Sequence, residues 1–187
     1  MKKAVLFMLL FGTSLISFGQ RRSAQLGLKG GVNIADYNDD IPTTDPRIGF
    51  HGGLLVHIHV KPNVAIQPEF VYSQQGAEFY NGKQKIDYLN IPILFQYLFQ
   101  QGFRLETGPQ IGVLADAEFK YENGTEVNIK KDVQKTDVGW VFGLGYLASS
   151  GFGVDARYNV GLTDIGKGPG EIKNRVWQLG VFYQFRR

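Results

Sequence analysis

The sequence predicts an all-β chain closed into an eight-stranded antiparallel up-and-down transmembrane β-barrel. Three observations predict it. Eight segments between residues 26 and 185 alternate apolar and polar residues, the connections between them are short and long in turn, and one of the two alternating rows carries no charge. Successive side chains of a strand point to opposite faces, so each segment has one greasy wall and one wet one.

The chain opens Met1-Lys2-Lys3, runs apolar from Ala4 to Phe11 and reaches small residues before Ser17-Phe18-Gly19-Gln20. A basic start, an apolar stretch of about ten residues and small residues before a cut describe a secretory signal peptide. Residues 1–20 are therefore expected to be a cleaved leader and residues 21–187 one barrel domain. The apolar run is broken too soon, by Gly12, Thr13 and Ser14, for a helical span of about 20 residues. Removing Lys2 and Lys3 from the 20 basic residues leaves 18 against 17 acidic ones, so the mature chain is nearly neutral. No basic tract remains to suggest nucleic acid as a partner. Cysteine is absent, which removes disulfides, thiolate metal sites and thiol-linked lipid.

Taken in order, the first segment (25–34) sets Leu26, Leu28, Val32 and Ile34 against Lys29. The second (48–60) sets Ile48, Phe50, Leu54, Val56, Ile58 and Val60 against His51, His57 and His59, and the third (64–75) sets Val64, Ile66, Phe70 and Tyr72 against Gln67 and Glu69. The fourth (85–99) alternates Leu89, Ile91, Ile93, Phe95, Tyr97 and Phe99 with Asn90 and Gln96. In the fifth (103–115), Phe103, Leu105, Ile111 and Val113 oppose Arg104, Glu106 and Gln110. The sixth (137–148) carries Val138, Trp140, Phe142, Leu144 and Tyr146 with glycines between. The seventh (152–161) sets Phe152, Val154, Ala156, Tyr158 and Val160 against Asp155, Arg157 and Asn159. The eighth (174–185) closes with Trp177, Leu179, Val181, Tyr183 and Phe185 against Asn174, Gln178 and Gln184. Residues 61–63, 100–102 and 149–151 are tight turns; 35–47, 76–84, 116–136 and 162–173 read as long loops. An even number of strands with tight turns at one rim and long loops at the other is the outer-membrane barrel pattern.

Which wall faces out decides between a soluble and a membrane barrel. A soluble barrel puts its apolar face inside; here that would leave the charged row in water and the aromatic row packed within. Eight strands enclose an interior only wide enough for side chains to fill. Facing water instead, the apolar row would form a sleeve far beyond the few hundred Å² a soluble monomer tolerates. Lipid is the solvent that suits it, and closure spares the backbone the cost of an unpaired edge in hydrocarbon. Pro68 and Pro109 on the apolar row and Pro92 on the lumen row each lack a ladder donor, so bulges or missing bonds are expected at all three.

The lumen charges Lys29, Glu69, Arg104, Glu106, Asp155 and Arg157 number three acids and three bases. Unable all to be solvated, they are expected to pair as a structural network filling the barrel, with Arg104 beside Glu106 and Asp155 beside Arg157. A polar conducting pathway is the functional alternative. His57 and His59 stand two apart and could supply two metal ligands, yet His51 lies about 20–25 Å away by strand rise, so polar lining and no metal is the expectation. Asp36, Asp39, Asp40 and Asp45 crowd the first long loop, where they suit a solvated loop, a cation held with lipopolysaccharide, or an acidic pair beside His51. Glu122-Asn123-Gly124 reads as a turn, so the fifth and sixth segments are expected to extend as a hairpin beyond the membrane. No nucleophile elbow or phosphate loop is present, and no cofactor is implied.

Leu28-Lys29-Gly30-Gly31-Val32-Asn33, Gln67-Pro68-Glu69-Phe70-Val71-Tyr72-Ser73-Gln74-Gln75-Gly76 and Tyr88-Leu89-Asn90-Ile91-Pro92-Ile93-Leu94 resemble the outer-membrane β-barrel domain widespread in Bacteroidetes, whose members are labelled PorT-like or porin family. Gly108-Pro109-Gln110-Ile111-Gly112 and Asp155-Ala156-Arg157-Tyr158-Asn159-Val160-Gly161-Leu162 are similar to its later strands. The resemblance implies the outer membrane of a Gram-negative bacterium and an eight-stranded barrel, with no catalytic residues to carry over. It also implies outer-membrane lipid, lipopolysaccharide and the barrel-assembly machinery as partners, and secretion-system components through PorT. One departure is the Arg186-Arg187 tail, since assembly signals end on an aromatic and Phe185 stands two residues short. The expected function is a filled-lumen structural or interaction protein acting through its surface loops; a small pore is the alternative, and an enzyme on lipid or peptide a third.

Overall fold

The computed structural model describes residues 24–38, 44–168 and 171–185. The leader expected at 1–20, the loop acids Asp39 and Asp40, and the Arg186-Arg187 tail lie outside those residues. Nine strands follow one another: β1 (Ala24–Tyr37), β2 (Thr44–Lys61), β3 (Val64–Phe79), β4 (Gly82–Leu98), β5 (Phe103–Tyr121), β6 (Glu126–Asn128), β7 (Thr136–Leu147), β8 (Phe152–Gly161) and β9 (Asn174–Gln184). Every pairing is antiparallel. The order β4-β3-β2-β1-β9-β8-β7-β5 closes through a further β4–β5 pairing, and β6 lies outside the ring on β5. Eight strands thus form the closed barrel, with no open edge for hydrocarbon to meet.

The charge-free row faces outward along the whole ring. Leu26, Ile48, Phe50, Leu54, Phe95, Leu105, Phe142, Leu144 and Leu179 are each about half or more exposed. Aromatic residues mark both borders of this sleeve, with Tyr72, Trp140, Tyr158 and Trp177 on the long-loop side and Phe99, Phe103, Tyr146, Phe152 and Tyr183 at the tight turns. Such girdles sit where an aromatic ring meets headgroups. Trp140 Nε1 donates to Thr107 Oγ1 at 2.8 Å, so the indole N–H on the lipid face keeps a partner. Among the described residues no helix is long and apolar enough to cross a membrane; the chain crosses with strands.

Two expectations about connections need correction. Residues 76–84 are no loop: β3 and β4 stay paired to Phe79↔Gly82, leaving only Tyr80-Asn81 to turn. Residues 35–37 and 44–47 likewise continue β1 and β2, with Ala35 opposite Arg47. The fifth strand runs past 115 to Tyr121, turns at Glu122-Asn123-Gly124 with Gly124 at φ +86°, and returns as β6. The reason is physical. Above the bilayer the outer solvent is water again, so alternation persists with its polarity exchanged. On β4 the outer row changes from Lys83, Lys85 and Asp87 to Leu89, Ile91 and Ile93, while the inner row carries Ile86 and Tyr88. On β5 one extra residue, Ala115, is bulged between the pairs Tyr88↔Leu114 and Asp87↔Asp116 and resets the phase, so that Ala117 is buried.

Pro68, Pro92 and Pro109 interrupt pairing without shifting register. The β2–β3 ladder breaks between Leu55↔Glu69 and Ile58↔Ile66, around Pro68. The β3–β4 ladder breaks between Pro68↔Ile93 and Val71↔Asn90, around Pro92, and the β4–β5 ladder between Pro92↔Gln110 and Phe95↔Thr107, around Pro109. Missing pairs, and no bulge, are the outcome at each.

A charge on the sleeve tests its solvent. Leu144 is 61% exposed at mid-band, so Leu144→Arg is expected to destabilise the barrel folded in lipid by about 2–4 kcal/mol. Urea unfolding in vesicles, followed by the gel-mobility shift between unboiled and boiled samples, measures it.

Candidate functional site

The lumen is built in three levels, each filled by inward rows. At mid-height Arg157 of β8 is 3% exposed and lies among three carboxylates. Its Nη1 donates to Glu69 Oε2 at 2.8 Å and its Nη2 to Glu69 Oε1 at 2.9 Å, a bidentate clasp across the barrel. Its Nε donates to Glu106 Oε1 at 3.1 Å, and its Nη2 is 3.3 Å from Asp155 Oδ2. Lys29 Nζ bridges Asp155 at 3.2 Å and Glu69 at 3.5 Å. Gln67 and Gln96 brace Glu69 and Glu106 at 2.7 and 2.8 Å.

Glycines make these reaches possible. Gly143 stands opposite both Glu106 and Arg157 in the ladders, and a Cβ there would lie 2.9 Å from Arg157 Cγ and 3.1 Å from Glu106 Cγ. Gly180 does the same for Asp155 and His51, at 2.8 and 3.1 Å.

Five of the six charges selected from the sequence therefore come together. Asp155 and Arg157 stand 3.3 Å apart; Arg104 does not pair with Glu106. Both oxygens of Glu106 are occupied, by Arg157 and Gln96, and the Arg104 guanidinium turns toward the tight-turn end and lies 5.1 Å from the centre of the Phe182 ring. No carboxylate among the described residues stands within ion-pair distance of it.

Toward the long-loop end, charge gives way to an amide web. Asn33 Nδ2 donates to Ser73 Oγ at 3.0 Å and to Gln74 O at 2.8 Å, while Asn33 Oδ1 accepts from Gln178 Nε2 at 3.0 Å and from His51 Nδ1 at 2.8 Å. His51 therefore belongs to this web. His57, whose Nδ1 donates to Gln67 Oε1 at 3.2 Å, and His59, whose ring is 4.6 Å from that of His57, belong to the other end. Among the described residues no three His, Cys, Asp or Glu side chains gather where they could hold a metal ion.

Above the web lies a crown, of which the sequence reading assigns Ile86, Tyr88 and Leu114 to strands and leaves the rest in connections. Tyr37, Ala77, Ile86, Tyr88, Ala117, Val133 and Ile165 form a buried apolar cluster, with Phe79, Leu114, Ile129 and Ile172 packed on it. Described residues of the connections after β6 and β8 bond to one another over this cluster: Gln134 N donates to Ile165 O at 2.8 Å, Ile165 N to Ile172 O at 2.8 Å, and Asp164 Oδ1 accepts from the backbone of Gly166 and Ile172 at 2.9 and 3.0 Å. Arg47, also unselected from the sequence, is buried beneath it and donates to Gln75 O. The signal was present in Ala77, Phe79, Ile86 and Tyr88, which continue the inner rows in period two.

The crown's outer surface carries paired charge. Lys83 meets Glu78 at 2.7 Å, Lys120 meets Glu126 at 3.1 Å and Lys130 meets Asp116 at 3.0 Å. Lys130 holds the Asp116 carboxyl below its usual range, and Lys120 does the same for Glu126. Tyr80, at the β3–β4 tip, is 97% exposed.

A closed ring with an apolar exterior, aromatic girdles and a polar interior defines an outer-membrane β-barrel protein. The chain belongs to the outer membrane protein beta-barrel domain family, which it matches over residues 18–166. Among solved structures it is similar to Neisserial surface protein A, with a TM-score of 0.62 and 12% identity over 87% of this chain and 99% of that one. It is also similar to Ail, the attachment invasion locus protein of Yersinia pestis, with a TM-score of 0.55 and 16% identity over 87% and 99%. At such identities the likeness is one of fold. No curated protein matches the chain.

Two expected outcomes follow from the site. Glu69→Ala leaves Arg157 and Lys29 without their shared carboxylate and is expected to cost about 3–5 kcal/mol; Gly143→Ala, which overpacks the same layer, about 1–3 kcal/mol. Denaturant unfolding in lipid vesicles reads both. For the crown, the folded pKa of Asp116 and Glu126 lies below the unfolded one, so their contribution is present at neutral pH and is lost as pH falls through the depressed values. Backbone amide protection of β6 is expected to fall below about pH 4 while that of β8 holds; hydrogen exchange corrected for intrinsic rates checks it.

Proposed function

We propose that this protein is a non-conducting outer-membrane barrel that acts as an interaction protein through its extracellular crown. The observation that carries the reading is the double obstruction of the lumen: the buried layer around Arg157, and above it the apolar cluster capped by Val133 and Ile165. An eight-stranded interior has little room beyond its side chains, and a path for ions would have to break both layers. Among the described residues the crown is the part built for water that projects beyond the bilayer, and it has its own core. A non-enzymatic role is supported by His51, which is buried with Nδ1 held by Asn33 and so is committed to the interior.

The partner's chemistry is constrained by charge. Ail has been solved in complex with the heparin analogue sucrose octasulfate. Here the crown lysines Lys83, Lys120 and Lys130 are each matched by a carboxylate, and Lys131, Lys135 and Lys167, which among the described residues are not, share the crown with Glu118, Glu122 and Asp132, a mixed charge that favours a protein partner over a polyanion. Lipopolysaccharide would meet the same paired charges at the girdle, and the barrel-assembly machinery would meet the β9 end. The PorT-like resemblance of residues 67–76 and 88–94 supports a secretion-system component as the crown's partner.

Planar-bilayer recording of the refolded protein is expected to show no steady conductance above the lipid baseline; steady unitary steps would overturn the sealed-lumen reading. A photo-crosslinking residue at Tyr80 on intact cells is expected to capture a defined protein adduct that one at Leu144 does not. Identical adducts at both positions would remove the crown from the interaction.

A further inference from the structure

We propose that the periplasmic mouth of the barrel is an oxyanion-binding site centred on Arg104. A cavity of about 270 Å³ opens there between the tight turns. Among the described residues its polar lining is Arg104, His57, His59, Gln25 and Gln184, and none of these is a carboxylate. It is therefore a chamber of cationic, imidazole and amide groups, open to water on one side and closed on the other by the charge layer.

Arg104 is 4% exposed, and its Nε and Nη1 have no hydrogen-bond partner. A buried guanidinium with no acceptor from the protein is costly unless a solute or water in the chamber supplies one. The ring of Phe182 supplies a cation–π contact at 5.1 Å but no acceptor for the N–H groups. Glu106 does not serve: its carboxylate bonds Arg157 and Gln96 and stands beyond ion-pair distance of Arg104.

The orientation of Arg104 is nonetheless built. Gly145 lies opposite it in the ladder, where a Cβ would come within 3.3 Å of Arg104 Cγ. Gly153 leaves space for Phe182, whose ring carbon would lie 2.2 Å from a Cβ at that position. Two glycines thus hold a donor fork pointing into a chamber that lacks its acceptor. A planar fork of this kind matches two oxygens of a phosphate or carboxylate. Gln184 Oε1, also buried without a partner, is an acceptor for a protonated oxyanion or for its water.

The same chemistry could be presented by free phosphate from the periplasm or by a phospholipid headgroup of the inner leaflet, since Phe99 and Phe103 of the lipid-facing girdle form part of the rim. The experiment separates the two. The protein is refolded in maltoside micelles, which carry no phosphate, and the Arg104 Nε–Hε resonance is followed by NMR during titration with inorganic phosphate and, separately, with phosphatidylglycerol. A saturable shift with phosphate supports the site with a soluble ligand. A saturable shift with the lipid alone supports it with a headgroup ligand. In either case Arg104→Gln, followed through the Gln184 side-chain amide, is expected to weaken apparent affinity at least about tenfold. If neither titrant gives a saturable shift at Arg104 in the wild-type protein, the proposal is overturned, and that readout does not depend on any variant folding.

Discussion

Closure is the constraint on which the rest depends. In hydrocarbon an unpaired backbone group costs several kcal/mol, so β4 must return to β5 and the ring must be complete. Once eight strands close, the interior width is fixed, and every inward side chain must find volume and partners inside that width. The alternation of charged residues with Gly143, Gly145 and Gly180 is the consequence. Where one strand places an arginine, its neighbour yields space with a glycine, and Arg157 can then span to Glu69 on the opposite side.

Closure also explains why the outer solvent is written so plainly along each strand. The inner rows continue without change of phase through β3 and β4, from the charge layer to the crown, while the outer rows switch from apolar to charged at Leu89 and Asp87. Only the solvent outside has changed. On β5 the phase itself is reset, by the bulge at Ala115. That residue is also where the fifth strand is predicted to end, because a reader following apolar-outward alternation meets a one-residue slip and then a charged outer row.

The transmembrane part was thus legible, and so was the inward direction of Lys29, Glu69, Arg104, Glu106, Asp155 and Arg157, since lipid forbids a charge on the other row. The crown was not. Ala77 and Phe79 keep period two with Ile86 and Tyr88 of the fourth segment, but an apolar exterior no longer marks them where Glu78, Lys83 and Lys85 stand outside. Pairing within the lumen was legible only where it is local. Asp155 and Arg157 share one strand and meet at 3.3 Å. Arg104 and Glu106 have the same spacing and do not meet; Arg157 reaches Glu106 from the far side of Gly143, a relation across the intervening strand that the spacing within one strand does not encode.

That competition gives the barrel its polarity from end to end. One arginine gathers three carboxylates and leaves the other with none, so the charge balance of the lumen is achieved globally but not at each level. The surplus of acid sits in the dry middle with Lys29, and the surplus cation sits at the wet periplasmic mouth, where an outside anion or water can reach it. At the opposite mouth the buried charges Arg47 and Asp137 are held by local hydrogen bonds, and the interior closes with Tyr37, Ile86, Tyr88, Val133 and Ile165. The two ends therefore differ in kind. One is a cationic chamber facing the periplasm, the other an apolar core under a charge-paired surface. On the proposed reading, with the centre sealed, anything this protein does for the cell is done at one of those ends.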